Sequence, residues 1–385
     1  LERDLALDDL TDPSAGPHAI QLVVDRVVEA LASRWRCEVR WCRGPRIVPI
    51  EDNYDNLGYE RAAVTRDARY TRYVDGEHVL RSHSSAMIPP SLRNLARQPS
   101  DDVLLVCPGI VYRRDAIDRL HTGTPHQLDL WRISRGQLNE QDLDEMIACL
   151  LDALVPHWPR VVERRVHPYT LAGRQVDVVR DGHPVEVLES GLAHPEVLAR
   201  SGLPDGVSGL ALGMGLDRLL MLVKDIDDIR ALRASDPRIL TQMTDLVPYR
   251  PVSAMPAVSR DLSLAVDGEP DEASLGDIVR DALGDDADAV EEVSVLGASP
   301  CSDLPPQVRE RLGALPGQTN LVVRVRLRHL ERTLTAREAN TMRDLIYAAL
   351  HRGSAYEWAG PGWAAHQPRG SVTCLDATGE GTVMG

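Results

Sequence analysis

The sequence predicts an α+β protein of more than one domain, and three observations predict it. The stretch His18 to Arg34 carries Ile20, Val23, Val24, Val27, Val28 and Leu31 at three-four spacing, which makes one apolar helical face. The stretch Cys107 to Ile133 sets two apolar, strand-like runs around a loop crowded with arginines, acids and histidines. Beyond Met255 the periodic segments follow the order β-α-β-β-α, the ferredoxin-like split βαβ pattern. With 385 residues, 43% of them hydrophobic, two or three domains can each bury a core. The boundaries are expected to be a polar extension over 1–17, a main domain over 18–248, the ferredoxin-like domain over 249–358, and a Gly/Pro-rich tail over 359–385.

Composition removes several classes of function. No apolar run approaches the roughly 20 residues of a membrane span, and the acidic start Leu1 to Asp12 is unlike a signal or transit peptide. A soluble, cytoplasmic protein with no membrane partner is expected. The six cysteines form no C-x-x-C pair or Cys/His cluster, so neither a zinc site nor a disulfide framework is suggested. A formal charge of −15 argues against a general nucleic-acid binder and against DNA, but it leaves room for a local basic face. Lys224 is the only lysine and phenylalanine is absent, where ordinary usage gives on the order of ten or more.

The elements follow in order. After the first helix, Cys37 to Ile50 reads as a strand containing Gly44-Pro45, and Val79 to Met87 (VLRSHSSAM) as a polar loop. Ile110-Val111-Tyr112 ends the first strand of the central stretch, Thr122-Gly123-Thr124-Pro125 supplies turn chemistry, and Gln127 to Ile133 returns as a second strand. Arg113 offers a planar fork of donors to a phosphate, and His121 and His126 can add more. Gln127 and Asp129, two apart on a strand, face the same way. An amide beside a carboxylate is a receptor for a free ammonium group. Asn139 to Leu154 is a helix with Leu143, Met146, Ile147, Leu150 and Leu151 inward.

From Arg165, two strand-like runs lead toward a helix. Val207 to Leu222 is a strand entering an apolar helix, where Gly209, Gly213 and Gly215 would let backbone approach a nucleotide and Arg218 can reach adenine and phosphate. The Rossmann spacing is not met. Ser235 to Met255 holds Pro237, Pro248 and Pro251, which places a linker near its end, followed by strands over Leu262–Val266, Val290–Leu296 and Leu321–Leu327 and helices over Leu275–Leu283 and Arg337–Leu350. Seven arginines crowd residues 324–352, and Arg324, Arg326, Arg328, Arg332, Arg337 and Arg343 are the candidate footprint of a nucleic-acid backbone.

The run VYRRDAIDRLHTGTPHQLD resembles motif 2 of the class II aminoacyl-tRNA synthetases and, within them, the phenylalanyl-tRNA synthetase family. That family reads R-x-[ED], then H-x-x-x-F-H-Q-x-E. Arg113, Asp115, His121, His126 and Gln127 fall in register, Asp129 stands for its Glu, and Pro125 stands for the Phe that stacks on adenine. The helix, strand and Gly44-Pro45 resemble motif 1, VLRSHSSAM resembles the L-R-T-H-T-S segment that touches the amino acid, and GLALGMGLDRL resembles motif 3. SRDLSLAV and RTLTAREANTMRDLI look like the family's C-terminal anticodon-binding domain.

The resemblance implies a class II antiparallel sheet of six or seven strands flanked by helices, in a single-chain, mitochondrial-type organisation. It implies ATP and Mg2+, with Arg113, His121 and Arg218 catalytic, Asp115, Pro125, Gly213 and Gly215 at the nucleotide, and Glu186 near ATP and its magnesium. It implies an amino-acid site of His83, Ser85, Gln127, Asp129, His167, Tyr169, Thr170, Glu189 and Ala211. Two departures concern that site: His167-Pro168-Tyr169 replaces F-P-F, and Glu189 enters a run of small residues. The expected function is therefore adenylation of an amino acid other than phenylalanine and its transfer to a phenylalanine-type tRNA, in specialised metabolism. The rivals are a ligase that passes its acyl group to an amine or carrier protein, and an inactive tRNA-binding paralogue.

Overall fold

Local signals start and stop the elements where the apolar patterns do. In this computed structural model, which describes residues 1–68, 70–252 and 255–355, the first long helix spans Ala19–Trp35. The His18 ring accepts from the Ile20 N–H at 3.1 Å, and Arg36 closes the helix in the left-handed region at φ 53°. The helix Glu140–Leu154 opens on a capping box of Asn139 and Asp142.

Twelve strands run along the described residues: β1 (Glu38–Trp41), β2 (Ile47–Pro49), β3 (His78–Leu80), β4 (Asp102–Ile110), β5 (His126–Ser134), β6 (Arg160–Arg164), β7 (Thr170–Arg180), β8 (His183–Ala193), β9 (Ser208–Gly215), β10 (Val258–Val266), β11 (Val290–Pro300) and β12 (Thr319–Leu327). Seven build the main sheet in the order β1-β4-β5-β9-β8-β7-β6. Its pairs are antiparallel except β1 with β4. The expected strand Cys37 to Ile50 is two: β1 joins the main sheet and β2 pairs with β3, because Gly44-Pro45 turns the chain out of the first sheet.

Alternation along the strands gives the sheet two unlike faces. Leu104 and Val106, Leu128 and Leu130, and Leu210, Leu212 and Met214 enter one core beneath the helices Ala19–Trp35, Glu140–Leu154 and Leu216–Lys224. The opposite face carries Leu105, Cys107, Trp131 and Ala211, packed against the helix Ile88–Arg97 and Tyr169.

The C-terminal elements form a second core on a three-stranded antiparallel sheet ordered β10-β12-β11. The first strand thus lies beside the third, as a split βαβ unit requires. The helices Glu272–Leu283 and Ala336–Leu350 cover one face. The short helix Pro306–Leu312 was not legible in the pattern, for only Leu312 of its seven residues is buried. The Gly/Pro-rich tail over 359–385 lies outside the described residues. The stretch leading into the expected linker is stapled down: buried Lys224 donates from Nζ to the Asp245 carboxylate and carbonyl, both at 2.9 Å, and to the Val247 carbonyl at 2.6 Å. Among the described residues no helix is long and apolar enough to cross a membrane.

Candidate active site

The site exists because one central strand has almost no side chains on one face. Along β9 the even positions are Leu210, Leu212 and Met214 in the core, while the odd ones are Gly209, Ala211, Gly213 and Gly215. Asp129 on β5 and Glu189 on β8 both stand opposite Gly213, and Gln127 stands opposite Gly215. Polar side chains from the flanking strands therefore rise around a gap. The result is a cavity of about 610 Å³.

At one end of the cavity lie Arg113, His121 and Arg218, with Asp115, Pro125, Glu186 and Gly215 on its walls. Arg113 lies past the end of β4, but the hairpin continues, with the Val111 N–H donating to Pro125 and the Arg113 N–H to Gly123. Its Nε donates to the Ser82 carbonyl at 2.9 Å, which fixes the guanidinium. His121 Nδ1 lies 2.7 Å from Asp118 Oδ2, and this partner raises the pKa of the imidazole. Arg218 projects from the first turn of the helix Leu216–Lys224. Two arginines and a histidine held toward the cationic form make an anion receptor. Among the described residues no three His, Cys, Asp or Glu gather to hold a metal. Magnesium usually takes one or two carboxylates and completes its shell with substrate phosphates and water, a demand that Glu186 alone can meet.

The other end is acidic and aromatic. Buried Asp129 accepts from Ser84 Oγ at 2.5 Å and Trp131 Nε1 at 3.3 Å, and Gln127 Oε1 accepts from the Ser84 N–H at 3.2 Å. Burial pushes the Asp129 carboxyl up to about 6, against the pull of these donors. His83 and Ser85 complete this wall. Burial lowers the pKa of the His83 ring to about 3, so it is a neutral imidazole. It stacks on Tyr59, ring centroids 5.6 Å apart. Tyr169 stacks on Trp131 on one side and on His167 on the other, at 6.1 and 5.9 Å. Glu189 lines the cavity with His167 Nε2 3.2 Å from its Oε1. Burial opposes ionisation of Glu189, but the adjacent imidazole and Arg113 outweigh it and the pKa falls.

Most of the expected site residues meet at this cavity; three do not. His167 sits behind Tyr169 and reaches the cavity only through Glu189. Thr170 fills the space over Gly191, where a Cβ would come within 2.5 Å of its own. Ala211 is buried opposite Trp131 and its methyl does not line the cavity. His126, expected as a further donor to an anion, points away: its ring meets Asp217 at 3.0 Å and its Nε2 accepts from the Leu10 N–H. Tyr59 was missed by sequence reasoning. The available signal was local, four of the nine tyrosines falling between 54 and 73.

The loop bearing Arg113 and His121 is braced by the C-terminal elements. Arg280 donates to the Asp115 and Ala116 carbonyls at 2.6 and 2.7 Å, and the Val293 N–H to Ile117 at 2.9 Å. Arg119 lies 2.6 Å from the buried carboxylate of Glu291, which also meets Arg326 and Arg328. Of the other candidate tRNA contacts, Arg324 pairs with Asp261, Arg332 with Glu338 and Arg343 with Asp344, while Arg337 is exposed.

Residues 3–243 match the family model described as tRNA synthetases class II core domain (F). The chain is 32% identical over 240 residues to the phenylalanine–tRNA ligase alpha subunit of Prochlorococcus marinus (strain MIT 9313), covering 61% of this chain and 69% of that protein. It is 28% identical over 362 residues to a probable mitochondrial phenylalanine–tRNA ligase of Drosophila melanogaster, covering 79% of this chain and 75% of that one. A pyrrolysyl tRNA synthetase structure from Desulfitobacterium hafniense aligns with a TM-score of 0.44 and 19% identity over 56% of this chain and 73% of that one, too distant to support any inference. The family match spans well over half of the chain and includes the strands and loops that build the cavity, so the chain belongs to the class II tRNA synthetases and, among them, to the phenylalanine–tRNA ligase family.

Proposed function

We propose that this ligase activates an amino acid with ATP and transfers it to tRNA, and that the amino acid is not phenylalanine. The observation that carries the first part is that one cavity is lined both by the cationic Arg113, His121 and Arg218 and by Gln127 and Asp129 of β5. An amino acid whose ammonium group rests on Asp129 and Gln127 would point its carboxylate toward a nucleotide held by the arginines. The carboxylate attacks the α-phosphorus, the aminoacyl adenylate forms, and pyrophosphate leaves. The terminal ribose hydroxyl of tRNA then takes the acyl group and releases AMP. The arginines orient the phosphates in line and neutralise the charge that develops on them. Bound Mg2+ would add charge neutralisation there, with Glu186 as its protein carboxylate.

The second part rests on the polar wall. A phenylalanine ring would bring no polar partner to the cavity-facing side of the half-buried Glu189 carboxylate, which His167 meets from behind, or to the Tyr59 hydroxyl, and would take both out of water. The absence of phenylalanine from the chain fits the same reading. A protein free of that codon is spared its own miscoding when a phenylalanine-type tRNA carries another residue. Pyrophosphate exchange over a panel of amino acids, followed by charging of tRNA, tests both parts. The expected result is exchange with a polar, aromatic-sized amino acid well above that with phenylalanine. A clear preference for phenylalanine would refute the altered choice.

A further inference from the structure

We infer that Glu189, positioned by His167, selects an amino acid whose side chain carries a second ammonium group. This rests on the reading of the cavity as an amino-acid activation site. The sheet register sets the geometry: Asp129, Gly213 and Glu189 stand in one row across β5, β9 and β8, and they share a face because directly paired residues do. Two strand spacings separate the carboxylate-bearing backbones, roughly 10 Å. Gly213 puts no side chain between them; the nearest atom a Cβ there would meet is the Asp129 carboxylate, at 3.6 Å.

The two carboxylates differ in their partners. Asp129 is held by Ser84 and Trp131, groups that orient it without neutralising it. Glu189 has His167 as its ion-pair partner at contact distance among the described residues, while Arg113 and Arg165 favour its charge only from farther off. His167 is 7% exposed and Glu189 35%, so the imidazole anchors the carboxylate from behind and leaves it facing the cavity. Glu189 also disfavours the charge of Asp129. A ligand with one cation relieves one of them; a ligand with two relieves both. The wall between them is aromatic, with the rings of Tyr59 and Tyr169 centred 6.3 Å apart, and aromatic faces also attract cations. Two acids set apart by an unfilled, ring-lined gap match a diamino acid, with its α-ammonium on Asp129 and its side-chain ammonium on Glu189. The arginine-rich end of the cavity excludes the reverse orientation, since the α-carboxylate must lie toward the nucleotide.

The experiment is pyrophosphate exchange by the full chain with phenylalanine, tyrosine, 4-(aminomethyl)phenylalanine and lysine, in the parent and in Glu189→Gln, Glu189→Gly and His167→Asn. The parent is expected to use at least one of the two ammonium-bearing substrates at least tenfold better, in kcat/KM, than phenylalanine or tyrosine. Glu189→Gln should shrink that ratio at least tenfold, and Glu189→Gly should shift it further toward phenylalanine. His167→Asn should raise KM for the ammonium-bearing substrate by more than it lowers kcat, which a general loss of folding would not do. Thermal melts of each variant check folding, and the parent's own ratio stands whether or not a variant folds. Tyrosine or another neutral amino acid preferred by the parent would overturn the assignment of Glu189 while leaving amino-acid activation intact. An unchanged ratio in Glu189→Gln would also overturn it. Exchange with no amino acid at all would overturn both readings.

Discussion

Asp129 shows what a single residue of the site costs the fold. Its carboxyl, pushed up to about 6 by burial, titrates above its ordinary value of 3.8, so the folded state disfavours the ionised form. That penalty is absent below about pH 4, grows through pH 4 to 6 and is full above pH 6, where it reaches on the order of 2–3 kcal/mol. Asp129→Asn should therefore be more stable than the parent at pH 8, and the two should converge toward pH 4 in urea melts. The same variant should lose amino-acid activation, because an ammonium group needs the charge. A variant less stable than the parent at pH 8 would contradict the penalty. At the other end of the cavity, alanine at Arg113 or Arg218 should cost about 10²-fold or more in pyrophosphate exchange. Lysine cannot stand in for them, since the one lysine is buried on Asp245. Exchange at the parent's rate in both variants would remove them from the reaction.

The glycines of β9 and β8 separate positions that keep a cavity open from positions that keep a strand packed. At Gly213 an added methyl makes ordinary contact at 3.6 Å, so Gly213→Ala should fold with a melting temperature near the parent's. It should raise KM for the amino acid at least tenfold, because the methyl occupies the gap. At Gly191 the methyl would lie 2.5 Å from the Thr170 Cβ and 2.9 Å from the Leu171 carbonyl, so Gly191→Ala should cost about 1–3 kcal/mol in stability. The opposite ranking in thermal melts would sink this account. The β9 strand and its helix were readable because period-two and three-four spacing meet at Gly215. His167 was expected beside Tyr169 only from the resemblance to F-P-F, and both precede β7 in a turn closed by the Thr170 N–H on the His167 carbonyl. Tyr59, in an irregular segment, offered no period at all, and the cavity wall it forms depends on contacts far along the chain.

At the scale of the whole molecule, the C-terminal sheet does more than the sequence suggested. The arrangement of separate segments implies that truncation after Tyr249 would spare activation and remove only tRNA charging. The braces on Asp115, Ala116, Ile117 and Arg119 run against that, since the loop carrying Arg113 and His121 would lose all of them. Truncated protein should therefore lose pyrophosphate exchange as well. The arginines divide along the same line. Arg328 is drawn toward Glu291, whose carboxylate is 1% exposed, so Arg328→Ala should cost stability between the ~1 kcal/mol of an exposed pair and the ~3–5 kcal/mol of a buried one. It should leave the salt dependence of tRNA binding in place. Arg324, Arg332 and Arg337 are exposed, and against a net charge of −15 they are the candidates for contact with a phosphate backbone. Alanine at each should leave the melt unchanged and lower the slope of log K against log salt by about 1. Arg324 and Arg332 must first leave Asp261 and Glu338, so Arg337 should show the full effect and the other two less. Filter binding of tRNA at several salt concentrations measures the slopes. If Arg328→Ala flattens the slope while Arg337→Ala does not, the backbone contacts lie on the other face of the C-terminal sheet.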